Sequence, residues 1–259
     1  MTTHVTTFAE HFLALKRQII TALCIIATLF IIFVSMAQDL YLNLALPLLQ
    51  NLPHNGHMIA TSIITPLLTP IKFAFYLALF ASIPLIATQI WVFISPGLNA
   101  FEKKLSAHAT IAAICLFYLG ISFAYFCVFP VAFYVFALAT PTHVMLLPDM
   151  QIYLSFALQV MLAFGLAFQI PMIITLLIAL DILTAQTCRD QRSIVIVIAF
   201  IIGMLITPPD VISQVMIAIP MCILYELGIL MGTMYKRPKQ TKSRLAKKKN
   251  YGSMNKRRV

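Results

Sequence analysis

Carboxylates are the residues of this sequence that could most directly recognise a charged ligand, and the chain has only eight of them. Glu102 lies in the stretch Asn99-Ala-Phe-Glu-Lys-Lys between two apolar runs, and Glu10 precedes the first apolar run. A carboxylate offers two oxygens, which can bind a planar guanidinium group through two parallel hydrogen bonds. If Glu10 and Glu102 lie on the same rim of the protein, their carboxylates would form an arginine-binding site. The ordinary alternative is that each is a solvated surface carboxylate.

The sequence offers little for catalysis or metal binding. His54 and His57 have a ligand-like spacing, but no carboxylate or cysteine stands beside them. The five cysteines are scattered without paired spacing, as expected of small apolar residues. No glycine-rich phosphate loop, His-Glu-x-x-His or Gly-x-Ser-x-Gly motif occurs. We therefore predict no catalytic residue, no metal site, no cofactor and no enzymatic activity.

Two polar residues interrupt apolar runs, where an unsatisfied polar group is costly. Gln169 lies in Phe168-Gln-Ile-Pro171, and Pro171 leaves the carbonyl of Ala167 without its usual helical donor. Its amide could join helices or line a polar cavity. Glu226 lies two turns before a basic tail, so it could pair with Lys236 or Arg237 or act as a proton relay.

The elements that must position these residues are membrane-spanning helices. Of the 259 residues 61% are apolar and only 10% are charged, and the mean hydropathy is +0.94. Soluble domains carry about 25% charged residues, so the expected fold is all-α and embedded in lipid. About 20 apolar residues cross a bilayer core. The sequence predicts six spans, at about 19–36, 71–93, 107–134, 153–180, 193–205 and 211–234.

The last two of these predicted spans are short for a bilayer crossing. Thr207-Pro-Pro-Asp210 separates them, and neither proline can donate a backbone hydrogen bond. Two short spans joined by a turn, or one re-entrant hairpin, would both fit. Before them, the stretch from Asp39 to Pro47 predicts a helix on the outer membrane surface, ended by Pro47.

Basic residues divide very unevenly between the two sides of the predicted bundle. One side receives 17 of the 18 Lys and Arg residues, and only Lys72 falls on the other. Because connectors rich in Lys and Arg remain on the cytoplasmic side of the membrane, both termini are predicted to be cytoplasmic. Eleven of the 17 lie in residues 236–259, a predicted disordered tail held near anionic lipid, so the positive net charge does not indicate nucleic-acid binding.

Several motifs together resemble the TatC family of the twin-arginine protein translocase, in register from about Phe8 to Gly232. Thr-Pro-Pro-Asp and Gln-x-Trp-x-Phe-x-x-Pro are the most specific. The motifs are Met58-Ile-Ala-Thr61, Thr69-Pro-Ile-Lys72, Gln89-Ile-Trp-Val-Phe-Ile-Ser-Pro96, Phe123-Ala-Tyr-Phe126 with Phe129-Pro130, Tyr153-Leu-Ser-Phe156, Gly203-Met-Leu-Ile-Thr-Pro-Pro-Asp210 and Ala218-Ile-Pro220.

The resemblance implies a glove-shaped six-helix receptor in the bacterial inner membrane that binds Arg-Arg signal peptides of folded cargo. It implies export driven by the proton-motive force, with TatA-like and TatB-like single-span subunits and further TatC copies as partners. The implied signal-peptide site comprises Glu102, Phe93, Pro96, Lys103, Lys104, Glu10 and Leu15. The implied intramembrane or partner contacts are Gln169, Glu226, Tyr125 and Gln214, and the implied outer cap and turn are Pro47, Thr207 and Asp210.

The sequence departs from the family pattern at two positions. The family reads His-Leu-x-Glu-Leu-Arg before its first span, where this chain has His11-Phe-Leu-Ala14-Leu-Lys16. Glu10 lies one helical turn before Ala14, so we expect it to replace the missing glutamate in part. Gln169 stands where many members have glutamate, and an amide cannot release a proton.

Proton-coupled small-molecule transport and a structural scaffold remain the alternative functions.

Overall fold

The computed structural model describes residues 8–51, 57–95, 100–139, 147–180, 182–206 and 211–236. These residues form helices and one isolated parallel β-bridge, between Ile59 and Asp149, with no strand among them. The helices are α1 (Phe8–Val34), α2 (Ala37–Leu49), α3 (Thr65–Ile94), α4 (Ala100–Phe123), α5 (Phe129–Ala139), α6 (Met150–Ala167), α7 (Ile170–Ala179), α8 (Ala185–Asp190), α9 (Arg192–Ile206) and α10 (Val211–Lys236). The all-α prediction is confirmed.

Membrane-length apolar helices account for most of the predicted spans. In the described residues five stretches are long and apolar enough to cross a bilayer, namely Lys16–Val34, Thr65–Phe93, Ser106–Leu138, Met150–Ala179 and Gln214–Met234. The remaining apolar helix, α9, has 15 residues. Whether α9 completes a sixth crossing stays a prediction.

The expected shortness of the last span is corrected by α10, which has 26 residues. The helix continues past Glu226. The carboxylate of Glu226 is half-exposed and paired with Arg192, so its charge does not interrupt α10. The proposed turn at Thr207 to Asp210 and the basic tail after Lys236 lie outside the described residues.

The chain divides into two compact units, residues 1–165 and 166–259. In the first, α1 and α4 lie against α3, and α2 lies against α3 and α5. Its centre is aromatic: Phe129 and Phe164 are fully buried, Phe133 lies beside Phe129, and Tyr153 lies beside Phe133. Such rings bury large apolar surfaces.

Close helix packing in the first unit depends on a glycine. A Cβ on Gly120 of α4 would lie within van der Waals overlap of the Phe164 carbonyl and the Gly165 Cα atom on α6. Small residues of this kind let membrane helices approach closely, where packing rather than the hydrophobic effect drives association.

A π-helical turn, Ala124–Val128, joins α4 to α5 just before Pro130. The N–H of Phe129 bonds to the carbonyl of Ala124, five residues back rather than four. Proline cannot donate within a helix, and a widened turn is one way to accommodate it. The predicted third span is therefore a continuous helical segment that contains one local irregularity.

In the second unit, α10 packs against α7 and α9. Ile174, Ile178, Cys188 and Ile229 form its buried cluster. A Cβ on Gly228 of α10 would lie 2.8 Å from the Pro171 Cα atom of α7, so only glycine allows this approach. The helix predicted over 153–180 is interrupted at Phe168 and Gln169, where α6 ends and α7 begins.

Candidate functional site

Basic residues collect where the starts of α1 and α4 meet the end of α3, and we call this region the basic rim. Lys16 and Arg17 are exposed on α1, and Lys103 is exposed on α4. Phe93, near the end of α3, is half-buried. The region thus combines positive charge with partly accessible aromatic side chains, since Trp91 is also half-buried.

Two hydrogen bonds fasten the basic rim to α3. The Gln18 amide on α1 donates to the Gln89 carbonyl at 3.2 Å. The Trp91 indole N–H donates to the Ser106 hydroxyl on α4 at 3.1 Å, and that hydroxyl donates to the Lys103 carbonyl at 3.0 Å. Buried indole N–H groups need such an acceptor. Gln18 of α1 and Ser106 of α4 are therefore both held against the same helix.

The structure describes the predicted signal-peptide residues unequally. Glu10 and Leu15 lie in α1 and Glu102 and Lys104 lie in the first turns of α4, but their side chains are outside the described residues. Pro96 is outside them altogether. The convergence of Glu10 and Glu102 stays a prediction.

The other end of the first unit, the opposite rim, comprises α2, residues 57–64 and the start of α6. Asp149 connects its parts. One carboxylate oxygen accepts from the N–H and the hydroxyl of Thr61, at 3.1 and 2.8 Å, and the other accepts from the N–H groups of Gln151 and Ile152, at 2.8 and 3.0 Å. Asp149 thus caps the N-terminus of α6.

The electrostatics of Asp149 follow from these bonds. The Ile152 N–H, together with Thr61 and Gln151, holds the pKa of Asp149 below its usual value against burial, which would raise it. Burial, and then the Asp149 charge, raise the pKa of Tyr41, whose hydroxyl donates to the Met150 carbonyl at 3.2 Å. At neutral pH the rim holds a charged acceptor and a neutral donor.

Pro47 belongs to this rim but does not end α2, which continues to Leu49, so that prediction is corrected. Pro47 cannot donate to the carbonyl of Asn43, the acceptor four residues back. The Tyr125 hydroxyl donates to that carbonyl instead, at 2.6 Å. Tyr125, predicted as a partner contact, therefore uses its hydroxyl within the chain and lets the helix run through the proline.

The remaining predicted polar residues lie in the second unit. Glu226 forms a two-point ion pair with Arg192, Nε to Oε1 and Nη2 to Oε2 both at 2.7 Å. The side chains of Lys236 and Arg237, the predicted partners, lie outside the described residues. The Gln214 amide donates to the Phe200 carbonyl at 2.8 Å, which joins α10 to α9. Gln169 lies at the break between α6 and α7 with its side-chain oxygen buried.

Sequence reasoning missed Asp149, Ser106 and Gln18, and quoted Trp91 without giving it a role. Asp149 carries a recognisable signal, since an aspartate just before an apolar run is a typical helix N-cap. The partners of Gln18, Trp91 and Ser106 are on other helices, so nothing local in the sequence could identify them.

No group of three or more His, Cys, Asp or Glu side chains that could hold a metal occurs in the described part of the chain. The contacts reported above join helices to one another rather than forming a reaction centre. The fold and these contacts define an all-helical, multi-pass membrane protein.

Comparison with known proteins identifies the family of this membrane protein. The family model described as "Sec-independent protein translocase protein (TatC)" matches residues 10–220. The chain belongs to the TatC family, and so to the components of a protein translocase rather than to the enzymes. It is accordingly a multi-pass protein of the bacterial inner membrane.

Individual relatives align with this chain over nearly its whole length. The chain is 41% identical over 233 residues to the Sec-independent protein translocase protein TatC of Haemophilus influenzae, covering 90% of this chain and 91% of that one. Identity to the Escherichia coli K12 protein is 39%, covering 87% of each. The crystal structure titled "Twin Arginine Translocase Receptor- TatC" superposes with a TM-score of 0.73 at 33% identity, covering 88% of this chain and all of that one.

Proposed function

We propose that this chain is the receptor subunit of a twin-arginine translocase and binds Arg-Arg signal peptides of folded proteins at the basic rim. The observation that carries the proposal is the pair of bonds, Gln18 to Gln89 and Trp91 to Ser106, that holds α1 and α4 on α3. Glu10 and Glu102 lie nearer the N-termini of the same two helices. A common support for both helices favours a shared ligand.

The chemistry of the proposed site favours arginine over lysine. A guanidinium group presents a rigid fork that matches both oxygens of a carboxylate, whereas an ammonium acts as a point charge. Glu102 would receive one arginine and Glu10 the other, while Phe93 and Leu15 would contact the apolar part of the peptide. Lys103 and Lys104 follow Glu102 in the sequence and belong to the proposed site.

The proposal includes an orientation and a set of partners. The 17-to-1 division of basic residues supports a cytoplasmic basic rim and cytoplasmic termini. TatA-like and TatB-like single-span subunits, further copies of this chain and anionic lipid would assemble with it, and the proton-motive force would drive export. A fluorescent protein fused after Val259 should fluoresce, whereas an alkaline phosphatase fused there should be inactive.

Binding measurements on the full chain in nanodiscs test the receptor function. An Arg-Arg signal peptide should bind more tightly than its Lys-Lys counterpart, and Glu102→Gln should weaken it by roughly 10-fold to 100-fold, the worth of one charge-assisted hydrogen bond. Asp39→Asn, an exposed carboxylate on α2, is the matched control and should leave binding unchanged. Equal affinity for both peptides would overturn the proposal.

The part assigned to Glu10 has a separate test. Glu10→Ala should reduce export of a twin-arginine reporter, though less than Glu102→Ala does, because Glu10 lies one turn from the position it replaces. If Glu10→Ala leaves export unchanged while Glu102→Ala abolishes it, Glu10 takes no part in recognition.

A further inference from the structure

Lys72 stands apart from the other basic residues of the chain. It is the only Lys or Arg in residues 18–102, and it lies on α3 near the opposite rim, whereas Lys16, Arg17 and Lys103 lie at the basic rim. Its side chain is exposed and forms no ion pair within the described part of the chain. An ammonium group has three donors and no acceptor, so Lys72 presents an open positive charge to an anion.

The acidic residues of the opposite rim do not neutralise Lys72. Each carboxylate oxygen of Asp149 already accepts two hydrogen bonds, from Thr61 or from the N–H groups at the start of α6. Asp39 on α2 lines a different pocket, together with Pro66 and the end of α1. The charge of Lys72 is therefore left for a ligand from outside the chain.

Lys72 lines a groove of about 720 Å³ between α3 and α6, two helices that start at the opposite rim. Tyr76 lies one turn after Lys72 on α3, and Gln151 lines the other wall from the first turn of α6. At this end the groove therefore offers an ammonium, a phenolic hydroxyl and an amide as donors. None of the described residues that line it is acidic.

Away from that rim the groove becomes apolar. Its walls there are mainly aliphatic, with Leu79, Ile83, Ile86, Leu154, Leu158 and Leu162 among the lining side chains. The hydroxyl of Ser82 does not change this character, because it donates to the carbonyl of Leu79 on its own helix. Donors at the rim followed by an apolar trough match a molecule with an anionic head and hydrocarbon chains.

Gln159 is the exposed polar side chain within the trough, two turns after Gln151 on α6. Helical side chains tilt toward the N-terminus, so the Gln159 amide can turn back toward the opposite rim, where α6 begins. In a phospholipid the ester carbonyls follow directly below the phosphate and would accept from this amide. A free phosphate ion at Lys72 would leave both Gln159 and the apolar walls without a partner.

The charges of the groove also select among phospholipids. Phosphatidylethanolamine carries its own ammonium group, which would lie beside Lys72 and find no carboxylate in the described lining. Phosphatidylglycerol carries only the negative phosphate, and its hydroxyl groups can donate to and accept from the Gln151 amide. A basic side chain at the membrane surface attracts anionic lipid in the same way.

We propose that the groove between α3 and α6 holds one anionic phospholipid from the leaflet at the opposite rim. Its phosphate bonds to Lys72 and Gln151, and its acyl chains lie along the apolar trough. The inference goes beyond arginine recognition and does not depend on it, because the groove and the basic rim share no residue.

Native mass spectrometry tests the lipid site on the full chain, released from nanodiscs that contain equal amounts of phosphatidylglycerol and phosphatidylethanolamine. The wild type should retain one phosphatidylglycerol in preference to phosphatidylethanolamine. Lys72→Gln should reduce this preference by about 3-fold to 10-fold, the worth of one basic side chain beside an anionic lipid. Lys72→Arg should keep it, because the charge remains. Arg189→Gln, which removes an exposed charge from the second unit, is the matched control and should leave it unchanged.

Competition distinguishes a lipid from a free anion. A short-chain phosphatidylglycerol should displace the retained lipid, whereas glycerol phosphate at the same concentration should not, because it has no acyl chains for the trough. Arg-Arg peptide binding to each variant reports separately on folding and on the basic rim. Failure of this inference therefore does not resemble failure of the receptor function.

Four outcomes would overturn the inference. The wild type could retain no lipid, or it could retain phosphatidylethanolamine as readily as phosphatidylglycerol. Lys72→Gln and Arg189→Gln could reduce the preference equally, which would show that only the net charge of the chain matters. Glycerol phosphate could displace the lipid as effectively as the short-chain phosphatidylglycerol, which would assign Lys72 to a free anion.

Discussion

Tyr118 on α4 donates a hydrogen bond to the carbonyl of Phe80 on α3, at 2.9 Å. Phe80 lies four residues before Pro84, so its carbonyl is the one that the proline leaves without a helical donor. Tyr125 and Asn43 repeat the relationship around Pro47 on α2. In each case a tyrosine from a neighbouring helix replaces the missing N–H, which allows proline inside a membrane-protein helix.

Removal of the tyrosine hydroxyl should therefore matter only when the proline is present. Tyr118→Phe should lower the free energy of unfolding by about 1–2 kcal/mol, because it leaves a backbone carbonyl unsatisfied. In a Pro84→Ala background the new N–H occupies the carbonyl, and the same change should cost much less. Thermal unfolding of the four proteins in detergent measures the difference, and equal costs in both backgrounds would refute this account.

The Asp149 cap should make the opposite rim sensitive to acid. Because its pKa in the folded state lies below the usual aspartate value of 3.8, its stabilisation is complete above that pH and is lost as pH falls through the lower folded value. Asp149→Asn should abolish this acid-dependent loss, whereas Asp39→Asn should not. Unfolding temperatures measured between pH 6 and pH 3 provide the comparison; parallel curves for the wild type and Asp149→Asn would contradict it.

Trp91 and Ser106 should act together in peptide binding. Trp91→Phe keeps the ring but removes the N–H, so it should free the start of α4 and weaken Arg-Arg peptide binding by about 3-fold to 10-fold. Ser106→Ala should have a similar effect, and the double variant should be no worse than either one. Additive losses would mean that the two residues act through separate contacts.

Export should not require protonation of the side chain at position 169. Since an amide does not titrate, Gln169→Leu should impair export only as far as it disturbs the junction of α6 and α7, and Gln169→Glu should not raise export. Export of a twin-arginine reporter in cells measures both. A several-fold increase with Gln169→Glu would show that protonation at this position aids transport.

The sequence predicts the membrane helices well because each one needs a long apolar run. It places their ends less well. The charged residues Lys16 and Arg17 mark where the apolar stretch of α1 begins, yet α1 itself starts at Phe8, because basic residues do not break a helix. Likewise α3 starts at Thr65, ahead of the predicted 71, since Pro66 fits the first turn of a helix.

Contacts between distant helices are beyond single-sequence reasoning. Glu226 illustrates the limit: its position near basic residues predicts an ion pair, but the partner proves to be Arg192, 34 residues earlier, which the fold brings alongside α10. The cap at Asp149 could be read locally from its place before an apolar run. Its bonds to Thr61, 88 residues away, could not.

A site-specific crosslink shows whether the basic rim recognises paired arginines. A photoreactive amino acid at Lys103, the exposed neighbour of Glu102, should crosslink to an Arg-Arg signal peptide in native membranes. The Lys-Lys peptide should give little product, and Glu102→Gln should remove the difference. Equal crosslinking of both peptides, or crosslinking of neither with full export activity, would show that the basic rim does not recognise paired arginines.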